Sequence, residues 1–448
     1  METARLAEIA MAMGGKLQGS DADATGVSID SRAVHKGDLF VAIKGPNFDG
    51  HDFVNQALSA GAAAAVVGRD RTFDAVMSPL ITVNDTAAAL QAWARHYRDK
   101  FDIPMAAVTG TNGKTTTKEM IAAVLSTSRN VLKNEGNFNN QYGIPLSLFR
   151  LSPAHTAAVM ELGMSSLGEI AGLCGLVRPV IGVITNVGEG HTQFLNSIAN
   201  VARAKAELFA ALPRDGAAIA NADDQWVMKG AAGTAARVIR FGIGPNADVW
   251  ATDIKFSTSG ASFSVDGQRF TVPMLGGHNV YNALAAIATG DALGIPREQA
   301  ARALAGMRPM PMRLEPVSLD KFFLINDAYN ANPASMRAAL ETLAGLERPG
   351  RKVAILGDML ELGEIAEKRH WEIGYLAGRR ADAVFTVGPL AAKIHQTAEG
   401  AGAEAAHFAS HAELIARLPA LLKLNDVILV KASRGMHFEQ IVNAITQL

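Results

Sequence analysis

The stretch TGTNGKTTTKEM, residues 109–120, sets two glycines, a lysine and a run of threonines where a backbone can wrap phosphate. N–H groups of a glycine turn, aimed from a helix N-terminus, form a nest of positive potential. Gly110 and Gly113 permit the turn, Thr111, Asn112 and Thr116 complete its wall, Lys114 brings a cation, and Thr115 offers a hydroxyl to Mg²⁺. The strict signature G-x-x-x-x-G-K-[ST] needs a glycine five positions before Gly113, and that position is Val108. The loop is a shortened variant. Its plain alternative is an ordinary glycine turn before a threonine-rich helix start, but the lysine, both glycines and the strand-to-helix context coincide.

A phosphate loop needs a metal partner, and Mg²⁺ takes oxygen ligands with water completing its octahedron. Glu161 ends the apolar run TAAVMELG, and His191 follows VIGVITNVGEG. Both fall at the C-terminal edge of an expected parallel sheet, where such folds bind ligands. Alone, the glutamate reads as a solvated strand end and the histidine as a packed side chain; beside the loop, both become candidate metal ligands.

The elements that position these residues follow from periodicity. MAAVTG, TAAVMELG and VIGVITNV read as buried strands, SIANVARAKAELFAAL as an amphipathic helix, and 247–275 as a β-rich patch before the helix NVYNALAAIATGDAL. After MRPMPMRLEP the strands FFLINDAY, KVAILGDM, AVFTVG and DVILVKAS alternate with helices, which predicts a parallel sheet covered on both faces. The fold class is therefore α/β. The third block carries no G-x-G-x-x-G and is assigned no dinucleotide.

A chain of 448 residues exceeds one core, and three domains are expected: 1–100, 101–312 and 313–448. The formal net charge of -1 provides no bulk field for nucleic acid or anionic lipid. A lone Cys174 leaves no partner for an intramolecular disulfide, and without an accompanying base it reads as a core residue. METARLAEIAMAMGGK lacks the apolar core of a secretory signal, and no apolar run reaches the ~18–20 residues of a membrane helix. A cytoplasmic protein and a monomer are expected.

Taken together, TGTNGKTTT, Glu161 in ELG, His191 in GEGH, Lys205 in ARAKAE and GGHNVYNALAA at 276–286 resemble the Mur ligases, which build the peptide stem of peptidoglycan. The resemblance spans essentially the whole chain and explains the shortened loop. NDAYNANPASMRAAL at 326–340, LGDMLELG at 356–363 and VKASRGMHFEQIV at 430–442 resemble the members that add D-alanyl-D-alanine to UDP-N-acetylmuramoyl-tripeptide. SIDSRAVHKGDLFVAIKGPNFDGHDFV resembles their UDP-binding first domain.

The resemblance implies an ATP-dependent ligase working through an acyl phosphate, with a small α/β first domain, a central ATPase-like domain and a Rossmann-like third domain. By motif, Thr115 and Glu161 hold one Mg²⁺, His191 helps hold a second, and Lys205 is carbamylated by CO₂. Lys114 and Arg313 meet the transferring phosphate. Asn279 and Asn282 fall where the family meets adenine, although a helix cap and one polar helical position explain them too; Asp327 falls where it meets ribose. Ser31 and Arg32 are candidates for uridine diphosphate, against a surface turn with a salt-bridged arginine. Asn139 and Asn140 lie where substrate is held, and Asn330, Asn332, Ser433 and Arg434 are the candidates for D-Ala-D-Ala. Whether the tripeptide ends in lysine or diaminopimelate stays open. The rivals are a nucleotide-gated binding module without turnover and a sister ligase with another amine, such as folylpolyglutamate synthase or cyanophycin synthetase.

Overall fold

The computed structural model describes residues 1–73, 79–189, 195 and 197–448. Three main sheets follow one another along the chain. The first has five strands in the order Lys16–Gln18, Leu80–Val83, Ala64–Gly68, Asp38–Val41, Gly26–Ser28, and only Lys16–Gln18 runs antiparallel to its neighbour. The helix Thr86–Arg98 closes this part. Asp85 caps it by accepting from the N–H groups of Ala87 and Ala88, and Leu90, Trp93, Ala94 and Tyr97 form one apolar stripe. That stripe packs into a core shared with the next domain. The Tyr97 hydroxyl donates to the Leu151 carbonyl at 2.7 Å, and Arg98 Nε donates to that of Val177 at 3.1 Å.

The second sheet carries seven strands, all parallel: Val249–Trp250, Arg237–Gly242, Ala217–Asn221, Ile181–Ile184, Met105–Thr109, Ala157–Glu161 and Val131–Lys133, in spatial order. Its central strands are apolar throughout because helices cover both faces. Lys114–Leu125 and His278–Ala292 pack together on one side, and Ile198–Ala210 lies on the other. The β-rich patch is a separate antiparallel meander, Thr252–Ser257, Gly260–Val265 and Gln268–Val272.

The third sheet has six strands where the sequence pattern predicts four: Glu315–Ser318, Phe323–Asp327, Val427–Lys431, Lys352–Gly357, Ala383–Val387 and Glu404–Phe408, in spatial order. The two additions are its edges. Glu315–Ser318 pairs antiparallel, and Glu404–Phe408 lies between the helices Ala391–Gly400 and His411–Leu421. Half-exposed EAAHF lacks the apolar run of a strand covered on both faces, so periodicity alone passes it over. In both parallel sheets the C-terminal strand ends face one shared cleft.

Candidate active site

The loop from Gly110 to Gly113 joins the strand Met105–Thr109 to the helix Lys114–Leu125. Its glycines are compelled. Gly113 sits at φ 81°, and a Cβ there would lie 2.4 Å from Asn282 Oδ1; at Gly110, φ 152°, a Cβ would lie 1.9 Å from Thr185 Oγ1. The next parallel strand holds the loop in shape. Asn186 Oδ1 accepts from the Asn112 N–H at 3.0 Å, and the Asn112 carbonyl accepts from Thr185 Oγ1 at 2.6 Å and Asn186 Nδ2 at 3.0 Å. Lys114 Nζ folds back onto the carbonyls of Gly110 and Thr111, at 3.0 and 3.2 Å.

Thr115, at the start of the helix Lys114–Leu125, meets Glu161 at the end of the adjacent strand Ala157–Glu161. Thr115 Oγ1 donates to Glu161 Oε2 at 2.7 Å and accepts from Arg313 at 3.1 Å, while Asn139 Nδ2 donates to Glu161 Oε1 at 2.8 Å. Arg313 stacks on Tyr329, its guanidinium carbon 4.0 Å from the ring centre. Beneath them, buried Asn134 grips the Glu161 backbone twice, accepting from its N–H at 2.8 Å and donating to its carbonyl at 3.1 Å. Buried Lys118 donates to the Asn134 carbonyl at 2.6 Å.

Lys205 reaches the same cavity from the helix Ile198–Ala210, which starts at the Ser197 cap. It is 2% exposed, and among the described residues its ammonium has no hydrogen-bond or carboxylate partner. Burial, with a smaller contribution from the Lys114 charge, pushes its pKa well below the usual lysine range. Burial likewise lowers that of Lys114, opposed by Glu161. Such a shift favours the unprotonated, nucleophilic form of a lysine.

From the third sheet, Asp327 comes to the cavity pinned by Lys431 Nζ at 2.6 Å and by the N–H of Leu314 at 3.1 Å. Asn330 and Asn332 line the same wall. The cavity, about 660 Å³, thus gathers the phosphate loop, Asn139, Glu161, Lys205, Asn282, Arg313 and these three third-domain residues.

Other candidates lie elsewhere. Asn140 is turned to its own loop, where Oδ1 accepts from the N–H groups of Tyr142 and Gly143. Asn279 is buried off the cavity, donating to the Leu275 carbonyl at 2.7 Å and accepting from Asn282 at 2.9 Å. Asn282 touches the cavity, but its amide is occupied by Asn279 and Thr117. Ser433 is buried beneath the wall and accepts from the Leu360 N–H at 2.9 Å, and Arg434 is exposed outside it. Ser31 and Arg32 form a surface turn in the first domain. Arg32 pairs with Asp30 at 2.8 Å and holds that carboxyl down to about 2. His191 lies outside the described residues. Sequence reasoning passed over Asn134, Asn186, Tyr329 and Lys431, whose roles rest on contacts with residues distant along the chain.

Residues 108–290 match the family described as the Mur ligase middle domain, 312–434 the Mur ligase glutamate ligase domain, and 23–98 the Mur ligase family catalytic domain. The chain is 41% identical over 431 residues to the UDP-N-acetylmuramoyl-tripeptide--D-alanyl-D-alanine ligase of Bacillus subtilis, covering 94% of this chain and 93% of that protein. This chain belongs to the Mur ligase family. The corresponding Escherichia coli protein is 39% identical to this Mur ligase, covering 100% of the chain and 99% of the relative. Among solved structures, MurF from Acinetobacter baumannii superposes with a TM-score of 0.92 at 31% identity, covering both chains fully. MurF ligase from Thermotoga maritima in complex with ADP gives 0.84 at 28% identity, covering 94% of this Mur ligase and 97% of that chain.

Proposed function

We propose that this Mur ligase joins D-alanyl-D-alanine to UDP-N-acetylmuramoyl-tripeptide at the expense of ATP, within peptidoglycan synthesis in the cytoplasm, as a monomer. The observation that carries this reading is the single cavity in which the phosphate loop faces Asp327, Asn330 and Asn332 of the third domain. Full-length likeness to the Bacillus subtilis and Escherichia coli ligases supports the choice of amine.

Joining a carboxylate to an amine in water is uphill, so the carboxylate must first be activated. Its oxygen attacks the γ-phosphorus of ATP, ADP departs, and an acyl phosphate remains. The amine nitrogen then attacks the carbonyl carbon, and the tetrahedral intermediate collapses with loss of phosphate and a proton. A triphosphate beside a carboxylate concentrates negative charge, so the protein's work is positioning and compensation. Lys114 and Arg313 supply cations, the loop N–H groups hold phosphate oxygens, and Asn139 sits beside the place of the carboxylate.

The donor set fits Mg²⁺. Thr115 Oγ1 and Glu161 Oε2 lie 2.7 Å apart at the loop, and both are oxygen donors. Thr115 and Glu161 would hold it, with His191 and a carbamate on Lys205 as candidates for a second; bound Mg²⁺ would neutralise charge on the phosphates. Carbamylation suits Lys205 because the unprotonated amine forms an N–C bond to CO₂ and gives up a proton to solvent, which turns an unpartnered buried nitrogen into an anionic oxygen ligand.

The test is phosphate release from ATP with UDP-N-acetylmuramoyl-tripeptide and, in turn, D-Ala-D-Ala, diaminopimelate, D-glutamate or no amine, with and without EDTA. D-Ala-D-Ala alone should support turnover, and EDTA should abolish it. Equal turnover with another amine overturns the choice of amine; release without any amine overturns ligation.

A further inference from the structure

Asn332 sits at the start of the helix Pro333–Gly345 and faces Asn112 in the phosphate loop of another domain. The contact is reciprocal. Asn332 Nδ2 donates to Asn112 Oδ1 at 2.8 Å, and Asn112 Nδ2 donates back to Asn332 Oδ1 at 3.4 Å. Both ends are rigid. Asn112 is clamped through its backbone by Thr185 and Asn186. Asn332 closes a capping box, its Oδ1 accepting from the Ser335 N–H at 2.9 Å while Ser335 Oγ accepts from the Asn332 N–H at 3.0 Å. The Pro333 ring fixes the helix entry.

We infer that Asn112 and Asn332 are a positioning pair that docks the third domain onto the phosphate loop, so that Asn332 serves the reaction by registering the two domains rather than by holding the amine substrate. The amide of Asn332 is committed to the cap and to Asn112, which leaves little of it for a dipeptide. A side-chain amide pair suits this task. It requires both partners at once in one orientation, and being uncharged it competes with neither the triphosphate nor a carboxylate for Lys114 or Arg313. The other contacts across the same gap differ in kind. Arg369 pairs with Glu189 as charges, and Arg313 reaches Thr115 from the chain that links the domains. Among the described residues, only the amide pair ties the third sheet's leading helix directly to the phosphate loop. Domain registry should therefore depend on Asn112 and Asn332 equally.

The test uses full-length protein labelled at Ser20→Cys and Glu347→Cys, two exposed positions in the first and third domains, Cys174 being buried. Single-molecule energy transfer with ADP reports the closed population. Asn332→Ser keeps a good helix cap but is too short to reach Asn112; Asn112→Ser removes the other partner. Each should lower the closed-to-open ratio about fivefold, the double variant no further, with Asn332→Ser leaving Tm unchanged. Asn332→Asp, which keeps the cap but replaces the Nδ2 donor with a charged acceptor facing Asn112 Oδ1, should lower the closed population at least as far as Asn332→Ser. An unchanged distribution in the single variants, or independent additive effects in the double, overturns the pair. The kinetic arm rests on the proposed ligation. Loss of registry should lower kcat with either variant, whereas a rise confined to the KM for D-Ala-D-Ala with Asn332→Ser alone would return Asn332 to the amine pocket. The energy-transfer result stands whether or not that amine is the substrate.

Discussion

Lys205 shows how one residue reads differently at each stage. On an amphipathic helix a lysine is ordinarily a solvated cation, and only its place in ARAKAE marks it in the sequence. In the fold it is buried beside Lys114 with no partner among the described residues, an arrangement that disfavours the ammonium. Lys205→Arg should lose roughly 100-fold or more in kcat despite keeping a cation, because a guanidinium cannot add CO₂. Lys205→Ala should be as inactive, with partial recovery in acetate or formate. Lys205→Met should be inactive yet raise Tm, since it removes an unpaired amine from a buried site. Turnover by the Arg variant within a few-fold of the parent would remove the carbamate from the mechanism. Arg434 poses the opposite case. Its side chain is 55% exposed, its guanidinium carbon 6.0 Å from the Tyr329 ring, outside the cavity wall. As an anchor for a dipeptide carboxylate it should act on one substrate alone: Arg434→Ala should raise the KM for D-Ala-D-Ala roughly tenfold or more and shift that for ATP less than about twofold. Equal effects on both would take Arg434 out of the amine pocket.

At the scale of elements, the phosphate loop is a glycine turn fixed from two sides, and its geometry depends on neighbours far away in sequence. Gly113→Ala puts a Cβ at φ 81° within 2.4 Å of Asn282 Oδ1, and Asn282 cannot yield without releasing Thr117 and Asn279. The strain is about 1–3 kcal/mol, too little to unfold the chain but enough to misplace the loop. The variant should keep its circular dichroism and lose at least ~100-fold in kcat/KM for ATP; near-parent kinetics would show that the loop tolerates another shape. The loop itself was legible because glycine and lysine spacing is a local property. So were the strands Met105–Thr109, Ala157–Glu161 and Ile181–Ile184, whose apolar runs are buried on both faces. Glu161 could be placed near the loop because strand ends at one sheet edge converge, and the family resemblance paired it with Thr115. What remained hidden was tertiary. Nothing local to Asn134 says that it grips Glu161, and nothing in VITN says that Asn186 holds the loop across strands. Edge strands such as Glu404–Phe408 stayed hidden because partial exposure erases their periodicity.

For the whole molecule, poorly solvated histidines tie stability to pH in a direction that can be worked out. Buried His370 has a pKa lowered chiefly by burial, opposed by the Ala366 carbonyl and the Asp358 charge, and half-buried His407 and His411 shift the same way. In the unfolded chain each imidazole titrates near ~6.5. Below that value the unfolded state binds a proton that the folded state refuses, so stability is full above about pH 6.5 and falls as pH drops, by up to ~1.4 kcal/mol per pH unit for a fully buried imidazole such as that of His370. A second loss begins lower. Carboxyls held down by partners, such as Asp30 beside Arg32 and Asp49 beside His51, contribute stability above their unfolded values that disappears as they protonate. Part of the first phase is assignable to one side chain. His370 is fully buried, its Nε2 accepting from the Met359 N–H at 2.9 Å and its Nδ1 donating to the Ala366 carbonyl at 2.7 Å, so the neutral tautomer is fixed by both contacts. His370→Gln removes the titrating group and weakens those contacts, and should lower stability at pH 7.5 by about 1–3 kcal/mol. Between pH 7 and pH 5, however, its denaturation free energy should fall less steeply than that of the parent, because one fewer proton is taken up on unfolding. Parallel curves for the two proteins across that window would show that His370 is not a source of the acid sensitivity.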